Sequence, residues 1–516
     1  MSDFLLTTAK NYTGSVIALT SAAIFGILAI KYNDRALFSD RRDDIPTIKG
    51  VPLFGVMFDL VSNKLRNLEW FNENINKLDT MTMYGTALGI PPMIMTIDPK
   101  NIQHIANDNF SCYAKGDNIV DAGMELFGHG IFVANGEQWR YQRKAASLIF
   151  NTVNFRDSFT EVFLKEINTL SEHVFDKNAV TGEPINFQDA IYKFTLESFV
   201  NIGFGKKLNI LTSKDKVPFA VSFDYCQDVM FNRLIDPFTN LRDKINSILH
   251  PSQLSHKDHV KVINELAYSL INERREQLKK GHEYHDLLSR FMSSRNEDGK
   301  TLNDKELRDL ILNLIIAGRD TTAQTISWLL YYTLKYPSVE AKLLEEVKLY
   351  IKDEVENNPP KLYETIKKMI YFHAVLHETL RLDPIIGNNA RTAVRDDVFP
   401  DGTRVRKGDL VLWNPYSMAR SEKIWGPDAN EFKPERWVLA SGDLHREAPS
   451  KWPAFHLGPR VCLGQSLATL EVLVALGLLL KRYKFSLVPG QNITHTASLT
   501  HPIKDGLHVF VEKHHS

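Results

Sequence analysis

The stretch Phe455-His456-Leu457-Gly458-Pro459-Arg460-Val461-Cys462-Leu463-Gly464 sets one thiol in a loop punctuated by glycine and proline, with an arginine two residues ahead of it. An apolar, helix-like run from Ser466 to Leu480 follows at once. Backbone N–H groups at a helix start lower a cysteine pKa, so a thiol held there can be a thiolate. A thiolate is a soft, electron-donating ligand that can hold a haem iron and favour O–O cleavage. A lone cysteine is otherwise a small buried hydrophobe, so the surrounding loop must distinguish the two. Gly458 and Gly464 permit tight turning and close backbone approach to a flat ligand. Arg460 can reach an acidic group on that ligand, and Phe455 can shield the sulfur from water.

A second constellation, Ala317-Gly318-Arg319-Asp320-Thr321-Thr322, interrupts a long apolar run. Glycine and paired threonines inside a helix cost helix propensity. They mark either an incidental kink or a groove for a diatomic molecule. In the groove reading Ala317 and Gly318 leave room, Thr321 offers a hydroxyl, and Asp320 relays protons through water.

These groups need elements to position them. Asn303 and Glu306 stand at capping-box spacing and predict a helix start; Pro337 stops the pattern. The helix between them holds roughly 33 residues and measures about 50 Å, enough to cross a whole domain. Glu378 and Arg381 are three apart and share a helix face. Trp139 and Arg143 are one helical turn apart.

The pattern Phe-x-x-Gly-x-Arg-x-Cys-x-Gly, matched at Phe455, Gly458, Arg460, Cys462 and Gly464, resembles the haem loop of the cytochrome P-450 haem-thiolate monooxygenases. The hexapeptide at Ala317 resembles that family's oxygen-binding motif. Glu378 and Arg381 match its Glu-x-x-Arg, Phe432-Lys433-Pro434-Glu435-Arg436-Trp437 matches the partner segment, and Trp139 with Arg143 matches its haem-edge motif. The resemblance covers almost the whole chain. It implies a mainly α fold with small β-sheets, a single large haem domain preceded by one N-terminal transmembrane helix. Cys462 is then the axial thiolate on the iron of haem b. Trp139, Arg143, Ala317, Arg391, Phe455 and Arg460 surround the cofactor, and the three arginines serve its propionates. Arg391 is assigned by its offset from the Glu-x-x-Arg helix. Asp320 and Thr321 are the expected proton-handling pair. Glu378, Arg381 and Arg436 are expected to form a structural ionic cluster fixing the loop that leads to Cys462.

The family places substrate between the central helix and several loops, here Phe127, Ala317, Ile386 and Leu499. All are apolar, as a greasy pocket needs, and each suits ordinary core as well. Arg319 followed by Asp-Thr-Thr-Ala is similar to fatty-acid and alkane hydroxylases of yeasts and plants. Asn109–Gly116, Leu126–Phe132 and Trp139–Ala145 are similar to their fatty-acid omega-hydroxylases; Pro218–Asp224 echoes their lid more weakly. Ala317 stands where animal fatty-acid hydroxylases often carry a haem-esterified glutamate, so no covalent link is expected there. The implied reaction inserts one oxygen atom of O2 into a C–H bond of a long-chain fatty acid. The electrons come from NADPH through NADPH–cytochrome P-450 reductase, with cytochrome b5 as an accessory donor. Arg140 and Lys144 are solvated or help dock an acidic reductase. Alkanes, xenobiotics and secondary metabolites are the alternative substrates, since pocket loops vary on a shared fold. A reductase-independent isomerase or dehydratase is a different class, and the Asp320-Thr321 pair argues against it. A haem sensor would need neither that pair nor a substrate pocket.

The chain's 516 residues are 43% hydrophobic, ample for a large core. Lys+Arg and Asp+Glu both number 62, so no basic excess suits nucleic acid. Three cysteines, Cys112, Cys226 and Cys462, argue against a disulfide framework and for a reducing compartment. Tyr12 to Tyr32 is nearly free of charge and close to bilayer length. Lys31, Arg35, Arg41 and Arg42 follow it, a bias that predicts a cytosolic C-terminal side; a cleaved signal peptide is the competing reading. Residues 1–45 are thus expected to be anchor and linker at the endoplasmic reticulum membrane, and 46–516 the catalytic domain. Ile45–Pro52, with two prolines and a glycine, reads as a stiff non-helical connector. Asn11 opens a sequon on the side expected to be lumenal.

Overall fold

The long helix predicted between Asn303 and Pro337 forms, as Asp304–Lys335, 32 residues. Its start is closed by a reciprocal cap. The Asn303 side chain accepts from the Glu306 N–H at 3.0 Å, and the Glu306 carboxylate accepts from the Asn303 N–H at 2.8 Å, satisfying two N–H groups that the first turn leaves over. The computed structural model describes residues 2–147, 154–213, 217–250, 252–284, 286–295, 299, 301–496 and 498–514, without the side chains of 2–15, 154 and 155. The Asn11 sequon therefore lies outside the described side chains. The helices that bear on the site are α1 (Ser2–Lys31), α2 (Asp117–Phe127), α3 (Gly136–Ser147), α4 (Phe187–Phe204), α5 (Pro218–Ile235), α6 (Thr239–Leu249), α7 (His256–Lys279), α8 (Asp304–Lys335), α9 (Ile370–Leu382) and α10 (Gln465–Arg482).

Helices α8 and α10 are buried on nearly every face and, with α4 and α9, carry the main apolar core. A second apolar cluster lies under a five-stranded sheet. Its strands are β1 (Thr82–Ala87), β2 (Ile90–Thr96), β3 (Tyr113–Ala114), β5 (Asn389–Ala393) and β6 (Leu410–Trp413); β4 (Ile185–Asn186) belongs elsewhere. The order is β1-β2-β6-β5-β3, with β2 and β6 parallel and the other pairs antiparallel. A smaller sheet joins β4, β8 (His508–Lys513) and β7 (Tyr483–Leu487), with β8 in the middle. Register in the large sheet matters for the site. Arg391 on β5 pairs with Val411, and Ala114 of β3 pairs with Thr392. The side chains of Arg391 and of Lys115, the residue after β3, therefore start from adjoining strands.

The connector Ile45–Pro52 is docked onto the sheet. The Ile48 N–H donates to the Tyr84 carbonyl and the Tyr84 N–H to the Pro46 carbonyl, both at 2.8 Å. Ahead of it, α1 exposes Val16, Ile17, Leu19, Ile24, Phe25, Ile27 and Ile30. Among the described residues, no helix is long and apolar enough to cross a membrane.

Glu378 and Arg381 on α9 meet the partner segment as the spacing predicts. The buried Glu378 carboxylate accepts five hydrogen bonds: two from Arg381 (2.8 and 2.9 Å), and one each from the Lys433 N–H (2.8 Å), Arg436 (3.1 Å) and the Trp437 indole (2.9 Å). Arg381 also donates to the carbonyls of Ala429 and Glu431. A buried charge so fully partnered is stable, whereas removing one partner strands the others. Replacing Glu378 by Ala is expected to cost about 3–5 kcal/mol of unfolding free energy, read as a lowered midpoint in urea denaturation. An unchanged midpoint would refute the structural role of this cluster.

Candidate active site

The loop carrying Cys462 is built by two close approaches. Gly458 has φ +64°, and a Cβ there would fall 2.1 Å from the Ala106 carbonyl oxygen, so only glycine fits. The Cys462 N–H then donates to the Phe455 carbonyl at 2.9 Å, closing the loop one residue pair before α10 begins. Cys462 keeps exposed surface, although the protein crowds it enough to push its thiol above the ordinary value; the N–H groups of Gly464 and Gln465 and the charge of Arg143 oppose that push. Arg143 reaches the loop directly and donates to the Val461 carbonyl at 2.6 Å.

Arg460, Arg391 and Lys115 gather beside it. Arg460 lies 4.6 Å from the Trp139 ring centre and donates to the Ala134 carbonyl at 2.6 Å; Arg143 lies 5.8 Å from the same ring. Arg391 donates to His456 Nε2 at 3.1 Å. Burial and the neighbouring Arg460 bring the Arg391 pKa down to about 9, and burial and Arg143 bring Arg460 down to about 10. Burial, then Arg391 and Arg460, hold Lys115 well below the ordinary lysine value. Burial and Arg391 keep His456 neutral, so its Nε2 is free to accept. Among the described residues, none of Lys115, Arg143, Arg391 and Arg460 pairs with a carboxylate. Buried like charges without counter-ions are unfavourable. The donor set therefore suits a ligand that brings two acidic groups next to Cys462, which is what the propionates of haem b would supply.

On α8, the helix that is otherwise buried, Ala317, Gly318 and Thr321 keep accessible surface. The Thr321 hydroxyl donates to the Ala317 carbonyl at 2.7 Å, and Thr325 repeats the pattern onto Thr321 at 2.7 Å. One expectation needs correction. Gly318 does not widen the groove: a Cβ there would fall 1.9 Å from the Phe199 ring of α4, so this glycine admits a neighbouring helix. Ala317 is the small side chain that keeps accessible surface there. Asp320 points to α5, accepting from Gln227 at 2.8 Å and standing 3.0 Å from Arg319. Burial raises its pKa to about 6 against the pull of Arg319. Arg319 also grips Asp224 at 2.6 Å, whose side chain is 55% exposed. Burial opposes the Arg319 charge, but Asp320 and Asp224 hold it firmly positive. An ionic chain thus runs from the buried Asp320 to the surface.

The predicted substrate residues are distributed along α8. Phe127 is buried, its carbonyl accepting from Asn313 at 2.9 Å; its ring meets Phe132 edge-on, and Phe132 is the more open ring. Leu499 and Ile386 lie near the other end. Thr500 accepts from Gln324 at 2.7 Å, the Trp328 indole donates to the His501 carbonyl at 3.0 Å, and the His501 N–H donates to Ile385. Lys115, His456, Gln227 and Asp224 were not singled out from sequence. The first two are supplied by strand register and a left-handed backbone at His456 (φ +62°), neither of which leaves a local signal.

Comparison with known proteins agrees with this geometry. The family model described as Cytochrome P450 matches residues 45–508. The cytochrome P450 monooxygenase cyp1 of Mycosarcoma maydis is 34% identical, with 93% of this chain and 77% of the relative covered. Cytochrome P450 704B1 of Arabidopsis thaliana is 32% identical, covering 90% and 94%. Cytochrome P450 94A2 of Vicia sativa is 32% identical, covering 91% of each.

The cation cluster makes a prediction with two opposite signs. Replacing Arg391 by Met removes like-charge repulsion, so the haem-free chain is expected to denature at higher urea. The same change is expected to speed haem loss from the holoprotein about tenfold, a cost of about 1.4 kcal/mol, measured by transfer to apomyoglobin. A change of the same sign in both assays would refute the cluster's role.

Proposed function

The chain belongs to the cytochrome P450 family and is a haem-thiolate monooxygenase, and on that premise we propose that it hydroxylates long-chain fatty acids at or near the terminal carbon. The observation that carries the site assignment is the gathering of four cations, unmatched by any carboxylate among the described residues, beside an accessible Cys462. The haem, when bound, supplies activation of dioxygen, tuned by its axial thiolate. The protein's own groups do the rest. The Gly464 and Gln465 N–H groups with Arg143 favour the Cys462 thiolate. Arg143, Arg391, Arg460 and Lys115 would hold the propionates, Trp139 backs two of them, and Phe455 braces the loop through its carbonyl.

Asp320, at about 6, can hold a proton and release it near neutrality. Arg319, paired with both Asp320 and the half-exposed Asp224, sets the charge around this acid and does not itself pass a proton. The Thr321 hydroxyl, anchored on Ala317, keeps its lone pairs free to accept a proton-bearing partner in the groove. The fatty-acid reading is supported by Arg319-Asp320-Thr321-Thr322-Ala323 and by the segments 109–116, 126–132 and 139–145. It is also supported by the apolar character of Phe127, Phe132, Ile385, Ile386 and Leu499 along a roughly 16 Å length of α8 from Asn313 to Gln324.

The redox partner in this reading is NADPH–cytochrome P450 reductase, and the setting is the endoplasmic reticulum membrane. The exposed apolar side chains of α1, and Leu241, Ile245, Ile248 and Leu249 on one face of α6, support membrane attachment, with the catalytic domain cytosolic.

The reduced protein with carbon monoxide is expected to show the far red-shifted Soret band of a thiolate ligand, and Cys462→Ser is expected to lose it. A band unchanged in Cys462→Ser would end this assignment. Binding spectra against a lipid panel should find the tightest response with long-chain fatty acids, and alkanes preferred over acids would overturn the substrate reading. Thr321→Ala should divert reducing equivalents to hydrogen peroxide; undiminished product per NADPH would count against its role. Turnover should fall as pH rises through about 6, where Asp320 loses its proton, and Asp320→Asn should flatten that profile.

A further inference from the structure

The Phe127–Phe132 segment, from the last residue of α2 into the loop toward α3, lies against the N-terminal half of α8. Three of its backbone groups are satisfied by two side chains of that helix. The Asp309 carboxylate accepts from the His129 N–H at 2.9 Å. Asn313 accepts from the Phe132 N–H at 3.1 Å and donates to the Phe127 carbonyl at 2.9 Å. Asn313 spends its second amide hydrogen on the Asp309 carbonyl at 2.7 Å. Both side chains are buried, Asn313 at 0% exposure and Asp309 at 2%, where an unmet polar group is costly. Arg308 adds the carbonyls of Glu125 and Leu126 at the end of α2, and Asn264 of α7.

The glycines of the segment are required by this fit. A Cβ on Gly128 (φ +52°) would fall 2.0 Å from an Asp309 oxygen, and one on Gly130 would fall 2.1 Å from the Asn313 amide nitrogen. The following residues are tied to the cation cluster. Arg460 donates to the Ala134 carbonyl, and Asn135 exchanges two hydrogen bonds with the Lys115 backbone at 2.8 and 3.0 Å. The segment is thus a strap fixed at both ends, with Phe132, 39% exposed, between them. Asn313 is one helical turn, about 6 Å, from Ala317.

We propose that Asp309 and Asn313 are positioning residues for the hydroxylation: by clamping the Phe127–Phe132 strap they set how far a chain-like substrate advances toward Ala317, and hence which carbon is oxidised. This rests on the fatty-acid reading given above. The side chains touch the strap and act on the substrate only through it.

The test uses the holoprotein and two readouts. Amide hydrogen exchange over residues 127–133 is measured without substrate, and product distribution is measured with hexadecanoic acid, reductase and NADPH. Asn313→Ala attacks the clamp from α8, and Gly130→Ala from the strap, leaving α8 intact. Both are expected to raise exchange at the strap at least tenfold, to keep the red-shifted carbon monoxide band, and to move product from the terminal carbon to its neighbours. The double variant should shift product no further than the larger single change. Asp309→Asn keeps an acceptor for His129 but takes the carboxylate from the buried Arg308, so it is expected to lower stability while strap exchange stays closer to wild type than in Asn313→Ala. Unchanged exchange in both single variants overturns the clamp. Raised exchange with an unmoved product distribution overturns its positioning role. If Asn313→Ala loses the carbon monoxide band, Gly130→Ala decides alone. A wild type that forms no product from any fatty acid overturns the substrate reading instead, and exchange then judges the clamp by itself.

Discussion

Everything near Cys462 depends on one buried carboxylate. Glu378 is wholly enclosed and accepts from two arginines, an indole and a backbone N–H. Because a half-partnered charge would be so costly there, these groups hold each other in one arrangement. That arrangement passes outward through aromatic contacts: Trp437 to Trp452 at 5.1 Å between ring centres, and Trp452 to Phe455 at 6.1 Å. The Phe455 carbonyl is the acceptor for the Cys462 N–H. The sulfur is therefore located by a network that itself has no chemistry to perform.

The molecule treats charge in two opposite ways. Around Glu378 every positive group finds a negative or carbonyl partner. Around Arg391 the described residues supply a carbonyl, a neutral histidine and the Trp413 ring, and no carboxylate. The first pattern makes a frame, and the second makes a receptor for anionic groups. The ionic chain Asp320–Arg319–Asp224 is intermediate: it is balanced enough to stay buried, and its acid still titrates in a useful range.

Features with a local cause were legible in the sequence. The Asn303/Glu306 cap and the Glu378/Arg381 face follow from spacing within a few residues, and the Cys462 loop and the Trp139/Arg143 turn were read from motifs equally local in the chain. What was not legible depends on residues far apart in the chain. Lys115 joins Arg391 because β3 pairs with β5; Gln227 meets Asp320 because α5 lies over α8. Gly318 was misread for the same reason, since the ring that needs its missing side chain sits on α4, 119 positions earlier. The mostly α architecture with small sheets emerged as expected, and the connector Ile45–Pro52 is non-helical and tied to the large sheet by hydrogen bonds at Tyr84.

Helix α8 is a single unbroken rod from Asp304 to Lys335, and several separate tasks are written along it. Asp309 and Asn313 hold the strap, Ala317 and Thr321 keep accessible surface, Arg319 and Asp320 carry the ionic chain, and Gln324 and Trp328 hold the segment at Leu499–His501. Each residue added to an α-helix turns all that follow by about 100°. A single insertion or deletion between Asn313 and Gln324 would thus set these tasks on mismatched faces all at once. The middle of this helix can diverge by substitution but not by change of length, whereas the strap, joined to it by side chains alone, can be rewritten independently. Variation among proteins built this way should accordingly appear as loop length outside the rod and as residue identity within it.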